Sequence, residues 1–363
     1  MDLNRTVASF RGAKISIDLS AVQHNFQQVR KYSHNSKIMP VIKANAYGHG
    51  MFQMARSLSE ADGFCVAQLA EAIALRDAGV KKPISVFQGF LNAQQLSEMS
   101  RYQLRPAVSQ LWQLDLLQAQ DAGSSLDIWL KIDTGMGRLG IQPDQAEQCW
   151  QTMQNIGCIE HIGLMMHFAN ADMHSHALNQ HQINIFQQLV DQLGVEETSV
   201  SNSAAIIGGL YEPQSWVRPG MMLYGASPLL NKTAHELQLQ PVMSLEAELI
   251  AINQLTKGHS VGYGGHWTCP EDMPVGIVNI GYGDGYPRHA DNATPVAVNA
   301  QKTHLIGRVS MDSIAVDLRG IEARCGDRVE LWGWQISVDE VAAHAGTIAY
   351  ELLCSAGRLS ESV

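Results

Sequence analysis

Between residues 37 and 230 the apolar positions recur in one repeating unit: a short β-branched or apolar run, a loop, then an amphipathic helical stretch. The runs are IMPVIKAN at 38–45, GFCVAQ at 63–68, ISVFQG at 84–89, LRPAV at 104–108, DIWLKID at 127–133, HIGLMMHFA at 161–169, TSVSNSAA at 198–205 and VRPGMMLYG at 217–225. Between them, Leu69, Ala72, Ile73 and Arg76 fall at i, i+3, i+4 and i+7 with Gly79 as a stop. Ile183, Phe186, Leu189, Val190 and Leu193 make a second stripe ended by Gly194. Eight strands alternating with helices predict parallel βα units, and eight is the number that closes a barrel. An open doubly wound sheet is the alternative, disfavoured because no GxGxxG follows the first strand.

After about residue 235 the texture changes. SLEAELIAI, PVGIVNIGYG, PVAVNA, IAVDL and DRVELWG are separated by Gly, Pro, Asn and Asp, which predicts strands and turns with little helix. The expected fold class is therefore α/β, a (β/α)8 TIM-like barrel over 12–234 followed by a mainly β C-terminal domain over 235–363. The segment AKISIDLSAV at 13–22 alternates and suits either domain, so the stretch 1–22 is assigned to the barrel or to the β domain with composition unable to decide.

Composition narrows the class. The 363 residues are 45% hydrophobic and 17% charged, enough for a large core. A formal charge of −10 argues against a nucleic-acid or anionic-membrane surface. Six cysteines, at 65, 149, 158, 269, 325 and 354, stand singly without CxxC spacing, the pattern of a reduced, cytoplasmic protein. The beginning, MDLNRTVASFRGAK, is polar, and no long apolar run follows, so neither export nor a membrane span is expected. Of 14 histidines several cluster at 161–185 without ligand spacing; no metal site is expected.

Barrel enzymes carry their chemistry on the C-terminal ends of the strands. There the sequence offers Lys43, Tyr47, Arg138, His167, Asn202, Ser203, Arg218 and Gly220: one lysine, several cations and a hydroxyl, with no carboxylate pair for glycoside hydrolysis. A lysine at a buried strand end loses its proton more easily, as a Schiff-base former or base must; an exposed loop lysine is the blander reading. Tyr47 lies beside Gly48 and Gly50, where backbone can approach an anion. SNSAA at 201–205 opens a helix whose free N–H groups suit phosphate, and RPG at 218–220 ends the eighth strand, the other common barrel position for one.

These residues carry a resemblance. VIKANAYGHG, KIDTGMGRLG, HFANAD, SNSAA, RPGMMLYG, VGYG at 261–264, IGYGDGYPR, GRVSMD and IAYELLC recur in register with the bacterial alanine racemases, over nearly the whole chain. The chain resembles that family, whose fold is a βα barrel followed by a β domain. The resemblance implies pyridoxal 5'-phosphate as cofactor, with Lys43 holding it and acting as base on one substrate face. Tyr263 in VGYG is implied as the opposing base, reaching the active site of a partner subunit in a homodimer. Racemisation needs two bases because a proton leaves one face and returns to the other; from the residues alone Tyr263 reads as a hairpin-turn aromatic.

By the same resemblance Arg218 contacts the pyridine nitrogen with His167 beside it. That keeps the nitrogen unprotonated and the ring a weaker electron sink than a carboxylate partner makes it. Tyr47, Ser203, Tyr350 and the backbone around Asn202, Gly220 and Met221 are implied to hold the phosphate. Arg138 is implied near the ring hydroxyl and substrate carboxylate, Met311 and Asp312 near that carboxylate from the partner chain. Lys131 stands where some members carry a carbamate; modification is open. The implied reaction interconverts L- and D-alanine, supplying D-alanine for peptidoglycan. The alternatives are a racemase of serine, lysine or several amino acids, a decarboxylase on the same scaffold (expected to carry an acidic residue at 218) and a non-enzymatic cofactor-homeostasis protein (which would lack the β domain). No role is assigned to Arg358.

Overall fold

The computed structural model describes residues 12–120 and 125–362; the polar stretch 1–11 lies outside them. Nine strands lead the chain: β1 (Lys14–Ile17), β2 (Lys37–Ile38), β3 (Phe64–Val66), β4 (Ile84–Val86), β5 (Arg105–Val108), β6 (Leu126–Lys131), β7 (Ile159–Met165), β8 (Thr198–Ser199) and β9 (Trp216–Val217). From β2 to β9 every neighbouring pair is parallel, in the order β2-β9-β8-β7-β6-β5-β4-β3. A parallel bridge between Val41 and Cys65 joins the two ends, with Ile42 N–H donating to Cys65 O at 2.9 Å and Cys65 N–H to Pro40 O at 2.9 Å. The sheet is thus curled into a barrel, as eight βα units predict. β3, β4 and β5 are buried along their whole lengths, which explains why they read as continuous apolar runs rather than alternating ones.

The helices that wrap it include α1 (Leu19–Ser33), α2 (Met51–Ser57), α3 (Leu69–Asp77), α4 (Ala93–Arg101), α5 (Trp112–Gln118), α6 (Ala146–Gln154), α7 (Ala177–Leu193) and α8 (Ser203–Gly208). Asp18 caps α1 by accepting from Ser20 N–H at 2.8 Å and Ala21 N–H at 3.1 Å. Gly194 ends α7 in the left-handed conformation, the stop expected of it. At the end where the strands begin, Arg105 stacks over Trp129 at 3.5 Å and pairs with Glu197, which also accepts from Trp216 Nε1 at 2.6 Å. This paired, hydrogen-bonded cluster lines the end where the strands begin, and the residues with candidate chemistry gather at the opposite mouth.

The second sheet is built from β1, β10 (Met243–Leu255), β13 (Met273–Val278), β14 (Pro295–Val298), β15 (Gln301–Ile306), β16 (Ile314–Asp317) and β17 (Arg328–Trp332), all antiparallel; β11 (Ser260–Val261) and β12 (Trp267–Thr268) form a separate hairpin. β1 pairs with β10 from Lys14↔Glu246 to Ile17↔Met243, so residues 14–17 of the segment composition left undecided lie in this sheet, while 19–22 begin α1 on the barrel. The little helix expected here is α9 (Val338–His344) and α10 (Ala349–Ala356). Ser337 caps α9, accepting from Asp339 N–H at 3.1 Å, and α10 is the element that touches the barrel mouth. No helix among the described residues is long and apolar enough to cross a membrane.

Candidate active site

Lys43 opens a turn of unusual hand. Ala44, Asn45, Ala46 and Tyr47 all have φ between 51° and 55°, a left-handed helical turn of four L-residues where strain runs at about 1–2 kcal/mol per residue. It persists because it is tied at both ends. Ala44 N–H donates to Glu71 Oε1 at 2.6 Å, while Glu71 Oε2 accepts from Ala67 and Gln68 N–H at the start of α3. Asn45 Oδ1 accepts from Met51 N–H at 2.7 Å at the start of α2. Gly48, φ 83°, lies against α10: a Cβ there would sit 2.4 Å from Leu353 O and 2.9 Å from Gly357 Cα. The C-terminal domain thus clamps the lysine turn directly. Neither Glu71 nor α10's clamp was legible beforehand, since an acidic residue in a first helical turn reads as an ordinary cap.

The side chains around Lys43 are mostly cationic. Burial, then the Arg138 charge, lowers the Lys43 ammonium below its ordinary value, with Glu71 pulling the other way. Lys131, buried at the end of β6, donates from Nζ to Leu139 O at 2.5 Å and is pushed down to about 8 by burial with Arg218 and Arg138 adding to it. Arg218 is buried and donates to Ser199 Oγ at 2.6 Å, Met166 O at 2.7 Å and Val200 O at 3.1 Å. Among the described residues no carboxylate pairs with it. Its Nη2 lies 3.4 Å from His167 Nδ1; guanidinium can only donate, so Nδ1 must present its lone pair. Burial first, then Arg218 and Lys131, holds His167 well below the ordinary histidine value. The imidazole is neutral.

The remaining residues meet at the other side of the mouth. Ser203 Oγ accepts from Gly220 N–H at 2.8 Å and Met222 N–H at 3.3 Å. A Cβ on Gly220 would come within 2.8 Å of the Tyr47 hydroxyl, so glycine is what lets that hydroxyl reach the strand end. Tyr47, Tyr224 and Tyr350 form an aromatic chain, with centroids 4.6 Å apart for Tyr47–Tyr224 and 5.7 Å for Tyr47–Tyr350. Tyr224 was not singled out in the sequence; its hydroxyl donates to Val41 O at 2.8 Å and stiffens the end of the first barrel strand. The Asn202 side chain caps α8, its Oδ1 accepting from Ala205 N–H at 3.0 Å, and so fixes the backbone at the start of that helix. Met221 begins a buried 3-10 turn behind Gly220.

Tyr263, Met311 and Asp312 sit elsewhere. Tyr263 is 70% exposed on the β11–β12 hairpin and Met311 54% exposed on a loop of the C-terminal domain; Asp312 beside it is exposed too. None of the mouth residues hydrogen-bonds or stacks with Tyr263 among the described residues. At the far end of the barrel Asp127, Glu160 and His161 bring ligand atoms within 4.8 Å of one another, all three exposed, a grouping that sequence spacing did not flag.

The mouth fits pyridoxal phosphate by its chemistry. Arg138 opposes the charge of Lys43, and Arg218 and Arg138 that of Lys131, with the carboxylates of Glu71 and Asp133 acting the other way, a cationic cup suited to a phosphate and a ring phenolate. A neutral His167 and a carboxylate-free Arg218 suit an unprotonated pyridine nitrogen.

Comparison with known proteins agrees. Residues 17–228 match the family described as alanine racemase, N-terminal domain, and residues 242–363 the alanine racemase C-terminal domain. The catabolic alanine racemase of Pseudomonas putida is 42% identical over 96% of this chain and 98% of its own, and an alanine racemase of Coxiella burnetii 44% identical over 94% and 96%. The biosynthetic alanine racemase structure from Pseudomonas aeruginosa superposes with a TM-score of 0.93 at 39% identity, covering 96% of this chain and 97% of its own. That of Bartonella henselae, with covalently bound pyridoxal phosphate, superposes at 0.87 with 28% identity, over 96% and 98%. With both domains matched in order and nearly the whole chain covered, this protein belongs to the alanine racemase family.

Proposed function

We propose that the protein is a pyridoxal-phosphate-dependent alanine racemase that interconverts L- and D-alanine with two bases from two subunits. The observation that carries it is the separation of the candidate bases. Lys43 lies in the barrel mouth with its proton affinity lowered, whereas Tyr263 stands 70% exposed on the other domain; a second copy in a homodimer is what brings them together.

When bound, the cofactor supplies the electron sink that makes the substrate's α-hydrogen acidic. Lys43 is its anchoring residue, with Tyr47, Ser203, Tyr350 and the Gly220–Met221 backbone toward the phosphate and Arg218 toward the ring nitrogen. Lys43 Nζ takes or returns the proton on one face of the substrate Cα, and the Tyr263 hydroxyl of the partner does so on the other. Arg138 binds the substrate carboxylate, with the partner's Met311 and Asp312 beside it. An arginine at 218 leaves the ring a modest sink, which disfavours decarboxylation. Lys131, pushed down to about 8 by burial with two guanidinium groups beside it, keeps a sizeable neutral fraction at physiological pH and is suited to carbamate formation, in which its amine adds carbon dioxide and releases a proton. Six free cysteines, four of them buried, fit the reducing cytoplasm, and we assign the D-alanine product to peptidoglycan; cells lacking the protein should then require D-alanine, and growth without it would contradict that role.

The test is L-alanine in deuterated water. α-Hydrogen exchange with loss of optical rotation is expected. Release of carbon dioxide would mark a decarboxylase, and no exchange would remove the enzymatic reading. Serine and lysine in the same assay decide how narrow the substrate range is.

A further inference from the structure

We propose that His49 is a positioning residue whose Nδ1–H clamps the carbonyls of Ala46 and Tyr47 and so holds the left-handed turn that aims Lys43 and Tyr47 into the barrel mouth. The inference rests on reading Lys43 as the cofactor lysine, but the clamp is visible without it.

His49 is wholly buried. Its Nδ1 lies 3.0 Å from Ala46 O and 3.0 Å from Tyr47 O. Carbonyls only accept, so Nδ1 carries the hydrogen and serves both. The same turn is closed through backbone, His49 N–H donating to Ala46 O at 3.0 Å. The other nitrogen, Nε2, is buried without a hydrogen-bond partner among the described residues. Burial pushes the imidazole down to about 4, so it is neutral and Nε2 is a bare lone pair in apolar surroundings. The ring itself lies on Tyr224, centroids 4.6 Å apart, and Tyr224 lies in turn on Tyr47. A phenylalanine would fill that space and stack as well, without leaving an unsatisfied acceptor. What only the histidine supplies is the Nδ1–H donor, aimed at the last two carbonyls of a strained turn. The clamped residues are Lys43's close neighbours and the tyrosine that reaches Gly220, so releasing them moves both groups at once.

The experiment compares wild type, His49→Phe and His49→Asn. Phenylalanine keeps the ring and loses the donor; the asparagine amide N–H takes the place of Nδ1–H. Each protein is loaded with pyridoxal phosphate and read by its dissociation constant, by the pH dependence of the bound cofactor's absorbance, and by kcat and KM for alanine. Amide hydrogen exchange at residues 46–50 is read in the unloaded proteins. Losing the clamp in His49→Phe should speed that exchange and weaken cofactor binding by about tenfold each, move the absorbance midpoint and lower kcat more than KM. His49→Asn should stay within about threefold of wild type in all of them. Exchange and binding unchanged in His49→Phe would overturn the proposal, as would equal impairment of both variants, which marks packing alone. If wild type failed to bind the cofactor, the reading of Lys43 would fall, while the exchange arm would still decide for or against the clamp.

Discussion

Arg218 shows how much one side chain settles at the mouth. Three buried acceptors depend on it, Ser199 Oγ and the carbonyls of Met166 and Val200. An ammonium cannot reach them as a planar fork does. Arg218→Lys should therefore cost about 2 kcal/mol of stability, the order expected when buried acceptors lose their donors, and racemisation should fall with it; thermal unfolding and the exchange assay measure the two, and an unshifted melt would show that lysine suffices. His167 offers a second residue-scale check. It is held well below the ordinary histidine value with Nδ1 toward a cation, so nitrogen NMR should show it neutral at neutral pH, and a titration at or above the ordinary histidine value would refute the assignment. The sign for stability follows. His49 and His167 bind protons more readily unfolded than folded, so their contribution to stability is full above about pH 6.5 and falls as pH drops below it. His49→Phe should flatten part of that fall, between about pH 6.5 and 4.

The turn at 43–48 and helix α10 act as one element pair. Gly48 and Gly79 have similar φ, 83° and 89°, yet a Cβ at Gly48 would strike Leu353 O at 2.4 Å while at Gly79 it would meet nothing within 4 Å. Gly79→Ala should cost only the strain of its backbone, roughly 1 kcal/mol. Gly48→Ala must also push α10 away, so its melting temperature should fall further and its cofactor affinity drop; equal losses would show that the α10 contact is not what holds the turn. This pair also marks where sequence reading stops. The eight strand runs, the stop at Gly194 and the cluster Lys43, His167, Ser203, Arg218 and Gly220 were legible, because burial on both sheet faces and motif spacing leave direct traces. The left-handed hand of KANAY was not, since alanines favour the opposite helix and only tertiary ties reverse it. Nor was the buried face of α7 fully readable: Asn179 and Gln182 are as buried as Phe186, donating to the carbonyls of Asn170, Met173 and His167. Apolar periodicity is blind to amides that serve a loop.

At the scale of the whole molecule, the two bases of the proposed reaction lie on different domains of one chain. The barrel mouth offers the lysine and the cations, while the far domain presents Tyr263 and Met311 to solvent. A symmetric pair in which each domain faces the other's mouth gives two shared sites. Mixing tests this most directly. Lys43→Ala and Tyr263→Phe are each expected to be nearly inactive alone. Unfolded or dissociated together and reassembled in equal amounts, they should form heterodimers with one intact site, recovering roughly a quarter of wild-type racemisation from the statistics of a two-fold pair. A mixture no more active than its two parents would contradict a site in which Lys43 of one chain works with Tyr263 of the other.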